Sequence, residues 1–287
     1  MDATTICTGL HLPECPRWRD GALWFSDMWD RKVHRLAADG SDEVVLELDD
    51  DPGGLGWLPD GDLLVVGMEG RKLWRWNGRG LTLHADLAPL SPWECNDMTV
   101  AADGTAYVTQ FGFDAVHGSG ERASAVLIAV APDGSVRAVA DELWCPNGIA
   151  FDAAGERLYV AEPAAMQITS FAVAADGSVG DRRVVGSLPP APGAPYAPPD
   201  GLCLDVEGGI WAADPIGHQV VRLAPDGTAT DVVPVDVSAL AVTLGGDDGC
   251  TLFVCLSGEH AKARRSGRAT GRIDAYRVPV AGSRRLP

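Results

Sequence analysis

Asp20-Gly21-Ala22-Leu23-Trp24-Phe25-Ser26-Asp27 is followed 40 residues later by Asp60-Gly61-Asp62-Leu63-Leu64-Val65-Val66-Gly67. Each stretch is a tight Asp-Gly turn feeding a short apolar run, the pattern of a strand entered from a hairpin. Further copies begin at Asp103-Gly104, Gly155, Gly208 and Asp248-Gly249, leading into Thr105-Ala106-Tyr107-Val108, Leu158-Tyr159-Val160, Ile210-Trp211-Ala212 and Leu252-Phe253-Val254. Several copies run on into a second strand that ends in another Asp-Gly turn, at Asp39-Gly40, Asp133-Gly134, Asp176-Gly177 and Asp226-Gly227. The six glycines lie 40, 43, 51, 53 and 41 residues apart. Repeats of that length built from short strands specify an all-β, six-bladed β-propeller with about four strands per blade. The 287 residues are used up by six such units, so 1–287 forms one domain. Asp114 to Ala123 and the Pro-rich Leu188 to Pro199 account for the two longest intervals and read as surface loops. The Thr5 to Leu10 segment is the expected closing strand of the last blade.

Forty acids against 23 bases give a net charge of −17, which disfavours a nucleic-acid or anionic-membrane partner. From Lys262 to Pro287 the balance reverses, with eight bases and one acid, and this end is expected to fold back onto the acidic body. The Arg264-Arg265-Ser266-Gly267-Arg268 run within it reads as a solvated loop. No stretch approaches the roughly 18–20 apolar residues of a membrane helix. Met1-Asp2-Ala3-Thr4-Thr5 lacks the basic-then-apolar start of a secretory signal, so the expected location is cytoplasmic. Seven cysteines without a Cys-x-x-Cys pair fit reduced thiols better than disulfides or a zinc ribbon.

The residue eight before the repeat glycine is Asn96, Asn147 and Asp200 in three units, and Glu14 lies seven before Gly21. The second unit has Gly53 there and the sixth has apolar Ala241 or a neighbour. Equivalent residues of successive blades converge on the propeller axis, so Glu14, Asn96, Asn147 and Asp200 should face one another at one end of the channel. Leaving two carboxylates unpaired in a dry tunnel costs several kcal/mol each, whereas a divalent cation would neutralise both. The hard oxygen donors suit Ca²⁺ first, with Mg²⁺, Mn²⁺ or Zn²⁺ as other choices.

Leu12-Pro13-Glu14-Cys15-Pro16-Arg17-Trp18, Asn96-Asp97, Pro146-Asn147-Gly148-Ile149-Ala150 and Pro199-Asp200-Gly201-Leu202-Cys203-Leu204-Asp205 resemble, in order and across essentially the whole chain, the senescence-marker-protein/gluconolactonase family, also called the regucalcin family. The resemblance implies a six-bladed propeller and lactone hydrolysis. It implies a divalent metal held by Glu14, Asn147 and Asp200, with Asn96 near the metal or the substrate and Asp200 moving the proton. Three departures bear on specificity. Glu94 stands where sugar-lactone members carry an arginine, Asp114 aligns with their substrate-contacting glutamate, and Cys15 replaces the usual glycine. Losing the arginine removes a planar donor fork for hydroxyls and carboxylates, and points to a small, relatively apolar lactone or ester.

Around the expected mouth lie Trp29, Trp57, Trp93, Met98, Phe111, Phe113, Trp144 and Tyr196, while Trp18, Trp24 and Trp211 read as packing residues. Asn96, Glu94, Asp114, Phe111, Trp144 and His218 are the expected substrate contacts, with His218 or His117 reaching the mouth from loops and loops 110–123 and 188–199 as lids. Cys15, Cys95, Cys145 and Cys203 adjoin the ligand positions, yet no histidine shares their phase to activate a thiol. Two other functions fit the same residues: a metal-dependent ring opening, cyclisation or isomerisation, and a non-catalytic metal- or ligand-binding propeller.

Overall fold

The computed structural model describes residues 2–115, 118, 121–258 and 268–283. They form six four-stranded antiparallel sheets, the six-bladed propeller that the repeat predicts. Blade 1 comprises Pro13–Arg19, Ala22–Asp27, Lys32–Ala37 and Asp42–Glu47; blade 2 comprises Pro52–Trp57, Leu63–Gly67, Lys72–Trp76 and Leu81–Asp86. Blade 3 holds Cys95–Val100, Ala106–Gln110, Ala125–Val130 and Val136–Leu143, and blade 4 holds Ile149–Phe151, Arg157–Glu162, Gln167–Val173 and Val179–Gly186. Blade 5 is built from Leu202–Leu204, Ile210–Asp214, Gln219–Leu223 and Ala229–Pro234. Blade 6 takes three strands from the C-terminal end, Ser238–Gly245, Thr251–Ser257 and Gly271–Arg277, and its outermost strand, Ala3–Leu10, from the N-terminal end.

The hairpin turns follow from their sequences. At Asp39-Gly40 the glycine has φ 83°, a conformation that costs a Cβ-bearing residue, and Asp39 accepts hydrogen bonds from the Ser41 backbone and hydroxyl. Burial falls from axis to rim. Pro52–Trp57 and Ser238–Gly245 are buried along their whole length, whereas Val179–Gly186 is mostly exposed. The innermost strands touch around a closed ring, each meeting the two beside it. Apolar clusters fill the gaps between blades. Leu23, Phe25, Ala241 and Phe253 join blades 1 and 6, Leu55, Trp57 and Val33 join blades 1 and 2, and Tyr107, Phe151 and Leu158 join blades 3 and 4.

Trp211 is fully buried and Trp18 stacks on Phe253 at 5.3 Å between ring centroids, as packing residues should. Trp57 is not at the mouth. It lies at the far end of the blade 2 inner strand, edge-on to Trp24 and beneath Arg19, because six residues of extended strand carry it to the opposite face. The basic C-terminal end meets the acidic body as expected: Arg272 pairs with Asp236 and Asp274, and Arg277 with Asp248. His117, His260 and residues 264–267 lie outside the described residues. No helix of the described chain is long and apolar enough to cross a membrane.

Candidate functional site

Glu14 and Asn96 lie near the start of the innermost strands of blades 1 and 3, while Asn147 and Asp200 precede those of blades 4 and 5 by two residues. Glu14, Asn96 and Asp200 are buried and Asn147 is half-buried. Their backbones are pinned by neighbouring strands: the Asn147 N–H donates to Ala161 O and the Asp200 N–H to Ala213 O, each at 2.9 Å. The Thr109 hydroxyl reaches both Asn147 O (2.9 Å) and Asp97 O (3.1 Å), linking blades 3 and 4 immediately beside the two asparagines. Glycines permit this close approach. A Cβ on Gly53 would collide with Asn96 O, and one on Gly148 with Asp200 O. Blade 2 therefore contributes glycine rather than a ligand because the strand of blade 3 occupies that space.

The electrostatics unite Glu14 and Asp200. Burial pushes the Glu14 carboxyl up to about 8, a rise held back by the Cys15 N–H at 3.0 Å and increased by Asp97. Asp200 rises well above the ordinary carboxylate range, first through burial and then through Glu14, Asp97 and Asp214. Asp200 Oδ1 is buried and has no hydrogen-bond partner among the described residues. A buried carboxylate oxygen under the electrostatic influence of a second buried carboxylate, Glu14, fits a hard divalent cation. A separate His11, Asp27 and Asp30 cluster is less suited to one. Both oxygens of Asp27 already accept the His11 and Leu12 N–H groups, and Asp30 pairs with Lys32 at 2.6 Å.

The surrounding residues divide into wall and rim. Phe111 is buried in an apolar cluster with Cys15, Met28, Met68, Met98 and Cys145, against which Trp29 and Phe113 pack. Met98 is thus part of the wall's interior rather than its surface. Glu94 is buried and lines a cavity of about 320 Å³ with Glu69, Arg71, Pro92 and Trp93. Asp114 is buried at the start of the 114–123 loop. Trp93, Trp144 and Tyr196 are exposed aromatics on connecting segments. His218 is exposed in a turn with φ 51°, where its nearby acid is Asp236; the groups acting on Asp200 are carboxylates instead.

All seven cysteines are free. Burial pushes Cys95 and Cys145 up to about 12, and Cys15 and Cys203 also upward, so all four remain thiols at neutral pH. Cys15 adopts φ 50°, the left-handed backbone for which glycine is the natural choice.

One set of supporting residues escapes a search for ligands. Asp27 holds the turn that enters the Glu14 strand, Glu162 accepts the Trp144 N–H (2.8 Å) ahead of Asn147, and Asp214 holds Ile216 and Gly217. Gln219 bridges Asp214 to Pro189 O at the start of the loop leading to Asp200. The signal for them is periodic: Asp27, Gln110, Glu162 and Asp214 each lie three residues after Trp24, Tyr107, Tyr159 or Trp211.

Six four-stranded blades, with buried Glu14, Asn96 and Asp200 at or just before the starts of inner strands, define the fold as a six-bladed β-propeller. The chain belongs to the SMP-30/gluconolactonase/LRE-like family, whose model matches residues 12–258. It is 26% identical over 277 residues to the 6-deoxy-6-sulfogluconolactonase of Pseudomonas putida, covering 94% of this chain and 92% of that one. Among solved structures it resembles a gluconolactonase from Xanthomonas campestris (TM-score 0.77, 24% identity, covering 96% of this chain and 89% of the other). It also resembles the calcium-binding protein regucalcin from Agrobacterium tumefaciens (TM-score 0.78, 22% identity, covering 98% and 95%).

Proposed function

We propose that the protein is a divalent-metal-dependent lactonase that hydrolyses a small, relatively apolar lactone or ester to its hydroxy acid. The observation that carries the reading is the buried Asp200 Oδ1, without a hydrogen-bond partner among the described residues and under the electrostatic influence of Glu14, in a chain whose family relatives are named as lactonases. Glu14, Asn96, Asn147 and Asp200 would hold the ion, with Ca²⁺ the first choice on its oxygen-only donors. The bound ion would supply Lewis-acid polarisation of the ester carbonyl.

Asp200 is the proposed proton acceptor. Coordination by the ion would lower the basicity of this carboxylate, so the Lewis acidity of the ion would supply most of the barrier reduction. Phe111 and the apolar cluster behind it exclude water from one side of the substrate. Glu94, Asp114, Trp144 and Asn96 are the proposed substrate contacts, with His218 at the outer rim. The acidic Glu94 disfavours an anionic ring substituent and accommodates a neutral one.

The test is turnover of a panel of γ- and δ-lactones and aryl esters by chelated protein reloaded separately with Ca²⁺, Mg²⁺, Mn²⁺ or Zn²⁺. Asp200→Asn serves as the control. Metal-dependent hydrolysis lost in that variant is the expected result, and wild-type turnover by a variant that retains its ion would overturn the role of Asp200. Product mass separates hydrolysis, which adds one water, from ring rearrangement. A tightly held ion without any turnover would favour a binding propeller.

A further inference from the structure

Between Glu14 and Trp18 the inner strand of blade 1 carries Arg17, a residue that no ligand pattern requires. Its guanidinium lies in the channel rather than at the surface. Nε donates to Leu55 O of blade 2 (3.1 Å), Nη1 to Pro16 O (2.9 Å), and Nη2 to both Asp97 Oδ1 (2.6 Å) and Met98 O (2.7 Å) of blade 3. One side chain therefore ties together three consecutive inner strands. Asp97 is buried, follows Asn96, and accepts the Met98 N–H through the same Oδ1 at 2.7 Å. Arg17 also borders a cavity of about 110 Å³ in which residues of all six inner strands meet, including Thr99, Cys203 and Thr243.

The charges around this contact are unequal to those of the ligand set alone. Glu14, Asp97 and Asp200 act on one another across the channel, and Arg17 is the cation that opposes Asp97 directly. A guanidinium cannot be deprotonated in a protein, so its compensation is permanent. With it, Asp97 is neutralised, and an ion-bound site would carry two negative charges, those of Glu14 and Asp200. Without it there would be three.

We propose that Arg17 is a positioning residue of the metal centre, which cancels the charge of Asp97 and clamps the Asn96 strand to blades 1 and 2, so that the site matches a divalent rather than a trivalent ion. This rests on the metal-site reading given above. A purely structural strut would behave differently, since losing either partner would then weaken binding and losing both would be at least as harmful.

The experiment is titration of chelator-treated, full-length protein with Ca²⁺ by calorimetry and with Tb³⁺ by tryptophan-sensitised luminescence. The proteins are wild type, Arg17→Met, Asp97→Asn and the double variant. Asp97→Asn leaves the guanidinium uncompensated beside the site and is expected to weaken Ca²⁺ binding at least about tenfold. Adding Arg17→Met to it should restore Ca²⁺ affinity to within about threefold of wild type. Arg17→Met alone should shift the Tb³⁺-to-Ca²⁺ affinity ratio toward Tb³⁺ by about tenfold. A double variant that binds Ca²⁺ no better than Asp97→Asn overturns the inference, as does an unchanged ratio in Arg17→Met. Should Arg17→Met not fold, the comparison of Asp97→Asn with the double variant, which removes the charges of Arg17 and Asp97 together, still decides the matter. A wild type that binds neither ion overturns the metal centre itself, an outcome distinct from bound ions that are indifferent to Arg17.

Discussion

Asp200→Asn should make the metal-free protein more stable at neutral pH. The wild-type carboxyl ionises near 3.8 in the unfolded chain, but in the fold its proton affinity is raised by burial and then by Glu14, Asp97 and Asp214. A raised value means that the folded state holds a proton which the unfolded state has released, so stability is lost as pH climbs above 3.8. Within the window between the unfolded value and the raised folded one, each pH unit costs about 1.4 kcal/mol. Asn keeps the shape of the protonated acid and never ionises. Because its NH₂ must find acceptors among the same neighbours, the net gain should fall short of that ionisation cost by about 1–3 kcal/mol.

The assay is thermal and urea unfolding of both proteins in chelator from pH 4 to pH 8. A higher Tm is expected for the variant at pH 7, with the difference closing toward pH 4 as the wild-type carboxyl becomes protonated in both states. Calcium at 100 times its wild-type Kd should then stabilise wild type by about 2.7 kcal/mol and the variant by less. A variant less stable than wild type in chelator at pH 7, or a gap that persists at pH 4, would refute the argument.

Other expectations follow from the same site. Glu94→Arg should raise kcat/KM for carboxylate- or sulfonate-bearing lactones relative to neutral ones by about 10-fold or more, read as a ratio across the panel; an unchanged ratio would remove Glu94 from the specificity-determining set. The buried thiols Cys15, Cys95 and Cys145 should resist iodoacetamide at pH 7 in the native protein and react on denaturation, as mass spectrometry would register. Rapid native labelling with loss of activity would reopen a thiol role. Asp27→Ala strands two half-buried N–H groups that it now satisfies, and should cost about 1–2 kcal/mol of stability together with metal affinity, because the turn it holds leads directly into Glu14.

The architecture was legible because Asp-Gly turns and alternating apolar runs recur at intervals that only blades fill, and each turn is a local event that tertiary contacts need not rescue. Even the closing strand could be assigned, though it begins at Ala3 rather than Thr5. The candidate positions Glu14, Asn96, Asn147 and Asp200 share a phase of the repeat, and the fold puts them at or just before the starts of the inner strands. Trp57 shows where such reading fails: being near a ligand position in sequence does not say which end of an extended strand a residue occupies. Arg17 and Asp97 escaped for another reason. Their partnership spans 80 positions and exists only once three blades have been assembled. No local pattern distinguishes an arginine that crosses a channel from one that points to solvent.

Ala3–Leu10 is hydrogen-bonded to Gly271–Arg277, with Thr5 reaching Asp274 across 269 positions. A chain emerging from the ribosome must therefore carry Ala3–Leu10 unpaired until Gly271–Arg277 has been synthesised. Glu14 follows that waiting strand by only four residues, so its carboxylate cannot be set against Asp200 on a partial ring. Nascent or truncated protein should be blind to the cation, and the same hydrogen bonds that complete the circle would act as the checkpoint for cofactor loading.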